Sequence, residues 1–222
     1  MKEDRIETID NINAIDHKIL NMAKITEEQI RSSLMLLRTG NTLDIEKVME
    51  KEKIVDIYQK EIEEECIKFI ATKQPLAKDL RRIFVTSKIV TDLERIADYA
   101  VDICKISKKI KKSIKDMELL MMPLWEMEEV ASKMIQQSIN AYINNDIESS
   151  YNICKLDDII DDIYGLFFED MIRSIIKDTI NSNSQAQLLF VAKYIERIGD
   201  HVTNICEWTI YANTGEYVDL NE

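Results

Sequence analysis

Leu93-Glu94-Arg95-Ile96-Ala97-Asp98 returns as Ile195-Glu196-Arg197-Ile198-Gly199-Asp200, and Asp102-Ile103-Cys104 returns as Asn204-Ile205-Cys206, at one constant offset of 102 residues. Agreement this long within one chain points to internal duplication. At about 100° per residue, Ile89, Leu93, Ile96, Ala100 and Ile103 fall on one side of a helix, in the 3-4 spacing of a face that packs against neighbours. The repeated segment is therefore read as a helix, present twice, with an apolar seam and an acidic border.

A fainter repeat precedes each copy. Glu52-x-x-Val55-Asp56 pairs with Asp157-x-x-Ile160-Asp161 at an offset of 105, which also sets Val48 on Ile153 and Ile62 on Phe167. Helix punctuation is sparse. Gly40-Asn41-Thr42 reads as a left-handed stop followed by an N-cap hydroxyl, Pro75 and Pro123 as helix starts, and Asn145-x-x-Glu148 and Ser182-x-x-Gln185 as capping boxes. Cutting at these points predicts six helices at 3–39, 42–73, 76–112, 117–144, 146–180 and 183–213. Several are long enough that they must lie side by side as bundles. The expected fold class is all-α, two tandem three-helix bundles, with units at residues 1–115 and 116–222 joined near the lysine-rich stretch Lys105 to Lys115.

Composition supports this reading. With 45% hydrophobic residues the 222-residue chain has enough apolar material for a packed core, and only four Gly and two Pro interrupt it. The formal net charge of −12 argues against nucleic acid, because phosphate binding needs a basic surface. No signal-peptide pattern opens the chain and no run approaches the roughly 20 apolar residues of a membrane span, so a cytoplasmic protein is expected. Cys66, Cys104, Cys154 and Cys206 lack metal-site or disulfide-scaffold spacing and read as reduced core thiols. The methionines from Met117 to Met127 read as core filler.

The acids carry the candidate chemistry. Glu94, Asp98 and Asp102 follow one another at four-residue intervals, forming a stripe that leaves the apolar border for the outer face; Glu196 and Asp200 repeat it, with Asn204 third. Glu52/Asp56 and Asp157/Asp161 are further i,i+4 pairs beside an apolar stripe. Like charges so spaced destabilise a helix by about 0.2–0.5 kcal/mol per pair, so a bound cation is one explanation and a solvated face on an acidic chain is the other. Recurrence at matched phase in both units raises the first. Carboxylates are hard ligands that favour Mg, Mn, Ca or iron over structural zinc. Arg95 and Arg197 read as neutralisers of neighbouring acids, and His201 is too isolated to be a ligand. No nucleophile elbow, Walker loop or dinucleotide fingerprint is present, so a non-enzyme is the favoured class.

Gln74-Pro75-Leu76-Ala77-Lys78-Asp79-Leu80-Arg81, followed by Asp92-Leu93-Glu94-Arg95-Ile96-x-Asp98 and the second copy Glu196-Arg197-Ile198-Gly199-Asp200-His201, resembles the PhoU family nearly from end to end. That resemblance implies a cytoplasmic regulator of phosphate uptake that keeps the phosphate-starvation response off. Its implied partners are the ATPase subunit of the phosphate ABC transporter and a membrane sensor histidine kinase. A homodimer is also implied, with membrane association only through partners. The resemblance further implies divalent or ferric metal ions (iron, zinc, manganese or magnesium), with Glu52, Asp56, Glu94, Asp98, Asp157, Asp161, Glu196 and Asp200 as ligands. Asp102 adds a carboxylate where the family usually has Asn. Ala97 stands where the family usually has Gly, and Tyr99 where it often has His. The competing function is a carboxylate-bridged metalloprotein with redox or hydrolytic activity. Such di-iron bundles use Glu-x-x-His pairs, which this chain lacks.

Overall fold

A computed structural model describes residues 2–41, 44–110 and 117–221, with side chains from Glu7 onward. Among the described residues there are six helices and no strand: α1 (Lys2–Thr39), α2 (Ile45–Lys73), α3 (Ala77–Ser107), α4 (Glu118–Asn144), α5 (Ile147–Lys177) and α6 (Ser182–Thr214). α1, α2 and α3 pack on one another, as do α4, α5 and α6, giving two three-helix bundles. The expected junction near residue 115, with Lys111, Lys112 and Lys115, falls outside the described residues, as does the expected cap at Thr42.

The seam drawn from the repeat is the core. Ile89, Leu93, Ile96, Ala100 and Ile103 are fully buried, and so are their copies Val191, Ile195, Ile198, Val202 and Ile205. All four cysteines are free and buried, and burial pushes the Cys66 thiol up to about 12 and that of Cys104 up to about 11. Of the methionines, Met117, Met121 and Met127 fill the core while Met122 is exposed.

Several boundaries differ from expectation for local reasons. α3 ends at Ser107, where Lys109 N–H bonds back to the Ile106 carbonyl in a tighter turn. The lysines that follow would set like charges along one helix. Asn145 is the left-handed C-cap of α4 (φ 54°), and Asp146 is the N-cap of α5, its Oδ1 accepting from Ser149 N–H at 2.9 Å. The expected box is thus shifted by one residue. Ser182 is already helical, its hydroxyl donating to the Thr179 carbonyl, and Gln185 reaches the Ser174 hydroxyl (3.0 Å) in place of a cap. Pro123 lies inside α4, and Pro75 precedes α3, whose N-cap is Leu76. Gly40 does adopt the left-handed conformation (φ 66°).

The bundles meet through α3 against α6 and α1 against α4. α3 and α6 run antiparallel, since Phe84 meets Trp208, Asp92 meets His201 and Tyr99 meets Tyr194. The 102-residue offset turns Asp92 into Tyr194 and Tyr99 into His201. Each of these two contacts is therefore the image of the other, and the interface has an approximate two-fold axis between the units, as an isologous contact would.

Two candidate carboxylate centres

In the first unit α2 presents Glu52 and Asp56 toward Glu94 and Asp98 of α3. Burial pushes the carboxyls of Glu52 and Glu94 above the usual range. The charges of Asp56 and Asp98 add to the effect on both, and Glu52 itself acts on Glu94. Arg95 supplies part of the balance, with a guanidinium nitrogen 3.3 Å from Asp98 and another 3.6 Å from Glu94. Asp102 stands apart, bonded to Lys105 at 2.8 Å, and it faces Tyr194 across the unit interface.

In the second unit the same helices' copies place Asp157 and Asp161 of α5 against Glu196 and Asp200 of α6. Here Asp157 is set more deeply than any acid of the first group, while Asp161 is exposed. Asp157 is buried, and its carboxyl is pushed up to about 7, chiefly by desolvation and further by the charges of Asp161, Asp200 and Glu196, against the bond it accepts from the Thr203 hydroxyl at 3.0 Å. Burial, with Glu196 and Asp200 close by, also raises Asp161. Two buried oxygens in this cluster, Asp157 Oδ1 and Glu196 Oε2, have no hydrogen-bond partner among the described residues. The other Glu196 oxygen accepts from Lys193, and Arg197 lies 3.7 Å from Asp200.

Gly199 explains how Asp157 fits. A β-carbon at Gly199 would collide with Asp157 Oδ1 and crowd its carboxyl carbon. The corresponding positions of the first unit hold Glu52 and Ala97, so acid and small residue change together between the units. Thr203, which holds Asp157, has Val101 as its copy, and nothing in the sequence of the second unit alone marks it as part of the centre.

The spacing therefore brings together eight of the nine predicted acids as two groups of four and leaves Asp102 aside. Within each group the side chains are spread: among the described residues no three Asp, Glu, His or Cys side chains are gathered tightly enough to hold an ion as they stand. The donor set is all oxygen, which would suit a hard cation, and the two orphaned atoms are carboxylate oxygens without partners among the described residues. Rotation of the carboxylates about their side-chain bonds is what a shared ion would require.

Spacing along the chain groups neither His201 nor Asp92 with a site. Asp92 is buried, lies 2.8 Å from His201 Nδ1 and accepts from Asn204 Nδ2 at 3.4 Å, so these residues fasten α3 to α6.

The family model described as the PhoU domain matches this chain twice, over residues 19–107 and 124–209, one copy on each bundle. The chain belongs to the PhoU family. A relative from Clostridium acetobutylicum, named phosphate-specific transport system accessory protein PhoU homolog, is 39% identical over 96% of both chains. The Escherichia coli K12 protein named phosphate-specific transport system accessory protein PhoU is 28% identical over 92% of this chain and 84% of its own. The fold is shared with the crystal structures of PhoU from Pseudomonas aeruginosa (TM-score 0.82, 24% identity, 93% of this chain and 98% of that one) and Streptococcus pneumoniae (0.85, 23%, 97% and 99%). The PhoU repeat thus corresponds to the helix set that builds one acid cluster, and its duplication gives two.

Proposed function

We propose that this chain is an accessory regulator of phosphate-specific transport, restraining uptake and holding the phosphate-starvation response off while phosphate is plentiful. The observation that carries this is the double PhoU match together with near full-length similarity to proteins named as accessories of the phosphate-specific transport system. Acting without catalysis, it works through contact with the ATPase subunit of the transporter and with a membrane sensor histidine kinase. It does so from the cytoplasm, as a homodimer that meets the membrane only through these partners. No helix among the described residues is long and apolar enough to cross a membrane, which is consistent with such a role.

Metal belongs to the same proposal. Glu52, Asp56, Glu94 and Asp98 would hold ions in the first unit, with Asp102 at the edge, and Asp157, Asp161, Glu196 and Asp200 in the second. Iron, zinc, manganese and magnesium are the candidate ions. Support comes from the raised carboxyls and from the unpartnered Asp157 Oδ1 and Glu196 Oε2. When bound, an ion would supply positive charge that offsets the repulsion among four acids. The chain's own groups then fix the cluster: Thr203 orients Asp157, Gly199 leaves room for it, and Arg95, Lys193 and Arg197 screen the rim.

The test is genetic. Deletion of the gene should raise labelled-phosphate uptake and switch on a starvation-response reporter in high phosphate, with the wild-type gene restoring both. An unchanged reporter and unchanged uptake would contradict the regulatory reading.

A further inference from the structure

A second surface lies away from both acid clusters. The C-terminal half of α2, the first turns of α3 and the end of α6 enclose an open apolar cavity of about 820 Å³, with Ile67, Leu80, Phe84 and Tyr211 among its lining. Ile67 is 68% exposed, Leu80 42% and Phe84 43%, and the apolar surface runs on over Ile70 and Leu76. A contiguous patch of this kind on a chain of net charge −12 marks an interaction site.

Its charges say what it receives. Arg81 lies along the lining with its Nε buried and without an acceptor, and its guanidinium is 5.9 Å from the Tyr211 ring. Lys88 sits 5.5 Å from the Phe84 ring and 5.9 Å from that of Trp208. Among the described residues neither cation has an acid partner within ion-pair distance, whereas Arg82, next in sequence, is paired with Asp16. Glu63, on the α2 wall, is the acid at this rim. Two unmatched cations beside exposed apolar and aromatic groups complement an apolar stripe flanked by carboxylates.

The duplication separates two parts of this surface: on α2, Ile67 and Ile70 keep isoleucine counterparts, Ile172 and Ile175, whereas the α3 and α6 parts do not recur. At the 102-residue offset Leu80 becomes Ser182, Arg81 Asn183, Phe84 Ala186, Trp208 Ile106 and Tyr211 Lys109, while the buried Ile83, Ile89 and Leu93 remain matched by the buried Gln185, Val191 and Ile195. The second unit packs its core without counterparts of Leu80, Arg81 and Phe84, and the first without counterparts of Trp208 and Tyr211. The presence of Leu80, Arg81 and Phe84 in the first unit therefore serves something other than packing of the repeat.

We infer that this groove docks an amphipathic helix, apolar at i, i+4 and i+7 and bordered by acidic residues, presented by a protein of the phosphate transport complex. Helix-in-groove recognition needs such an apolar trough, and unpaired rim cations select acidic flanks and speed association. The inference rests on the proposed transport role and adds to it the surface and the chemistry of the contact.

The test uses the full chain and the purified transporter complex with its cytoplasmic subunits, with affinity read by biolayer interferometry. The triple variant Leu80→Ser, Arg81→Asn, Phe84→Ala carries residues that the second unit already tolerates at these positions, and circular dichroism checks its folding. We expect at least a tenfold loss of affinity, with Arg173→Glu on α5 unchanged, and amide-exchange protection on complex formation over 67–88 and 208–217. A wild-type chain that binds the complex no better than the triple variant does would overturn the groove assignment while leaving the transport role standing. No binding by the wild-type chain would overturn both. A change from dimer to monomer in the triple variant, with transporter affinity intact, would assign the groove to a second copy and also overturn the proposal.

Discussion

Asp157 concentrates the physics of the second centre. Its carboxyl is raised to about 7 from an ordinary value near 4 because it is buried among other acids, so between those pH values the folded chain holds a proton that the unfolded chain lacks. Stability from this group is then present below about pH 4 and is lost as pH rises through about 7, with a limiting slope of about 1.4 kcal/mol per pH unit. Glu52, Glu94 and Asp161, also raised, act with the same sign. Denaturant unfolding of chelator-treated protein should therefore show stability declining from pH 5 to pH 8, and Asp157→Asn should flatten that decline. A divalent ion at 100 times its dissociation constant should restore about 2.7 kcal/mol at pH 8. Gly199→Ala should undo the arrangement by another route, since the added methyl must displace the Asp157 carboxyl from Thr203. The exchange of Gly199 for Ala97 is legible in the sequence as a difference between repeats. Its reason is not, because it depends on which α5 side chain faces which α6 backbone.

Elements are joined by a few polar contacts of larger consequence than their number suggests. Arg82 of α3 donates to Asp16 of α1 at 2.8 Å and to Asn145 at the end of α4 at 2.8 Å, and its guanidinium lies 4.8 Å from the Tyr142 ring. Tyr142 in turn shares a 2.7 Å hydrogen bond with Thr86. Burial raises the Asp16 carboxyl above its usual range even though Arg82 opposes this, so removing Arg82 alone would strand an acid in an apolar setting. Arg82→Ala should cost about 3–5 kcal/mol in chemical denaturation, and the double variant Arg82→Met, Asp16→Leu clearly less. Apolar periodicity made the helices legible to within a few residues at most ends. Caps were read less well: at Asn145 and Asp146 both residues suit a helix end, and only the backbone decides that one closes α4 while the other opens α5.

At the scale of the molecule, duplication organises everything. Two copies of an α2–α3 pair give two acid clusters, and their antiparallel meeting through α3 and α6 makes Asp92–His201 and Tyr194–Tyr99 images of each other. The repeat, the units and the four acid pairs could be read from spacing alone, because matched phase on two helices survives divergence. The Asp92–His201 fastening could not, since residues 109 apart meet only once the handedness and direction of packing are known. The turn of Asp102 to Lys105 is by contrast an i,i+3 pairing that helical spacing allows. The copies have also specialised: the first supplies Leu80, Arg81 and Phe84 to the groove, and the second the buried Asp157.

The claim on which the site rests is that each acid cluster holds cations. Anomalous scattering from crystals of protein stripped with chelator and reloaded with a single metal tests it most directly. Ions are expected between Glu52, Asp56, Glu94 and Asp98 and between Asp157, Asp161, Glu196 and Asp200. Anomalous density at neither cluster, or ions held only by other residues, would contradict it.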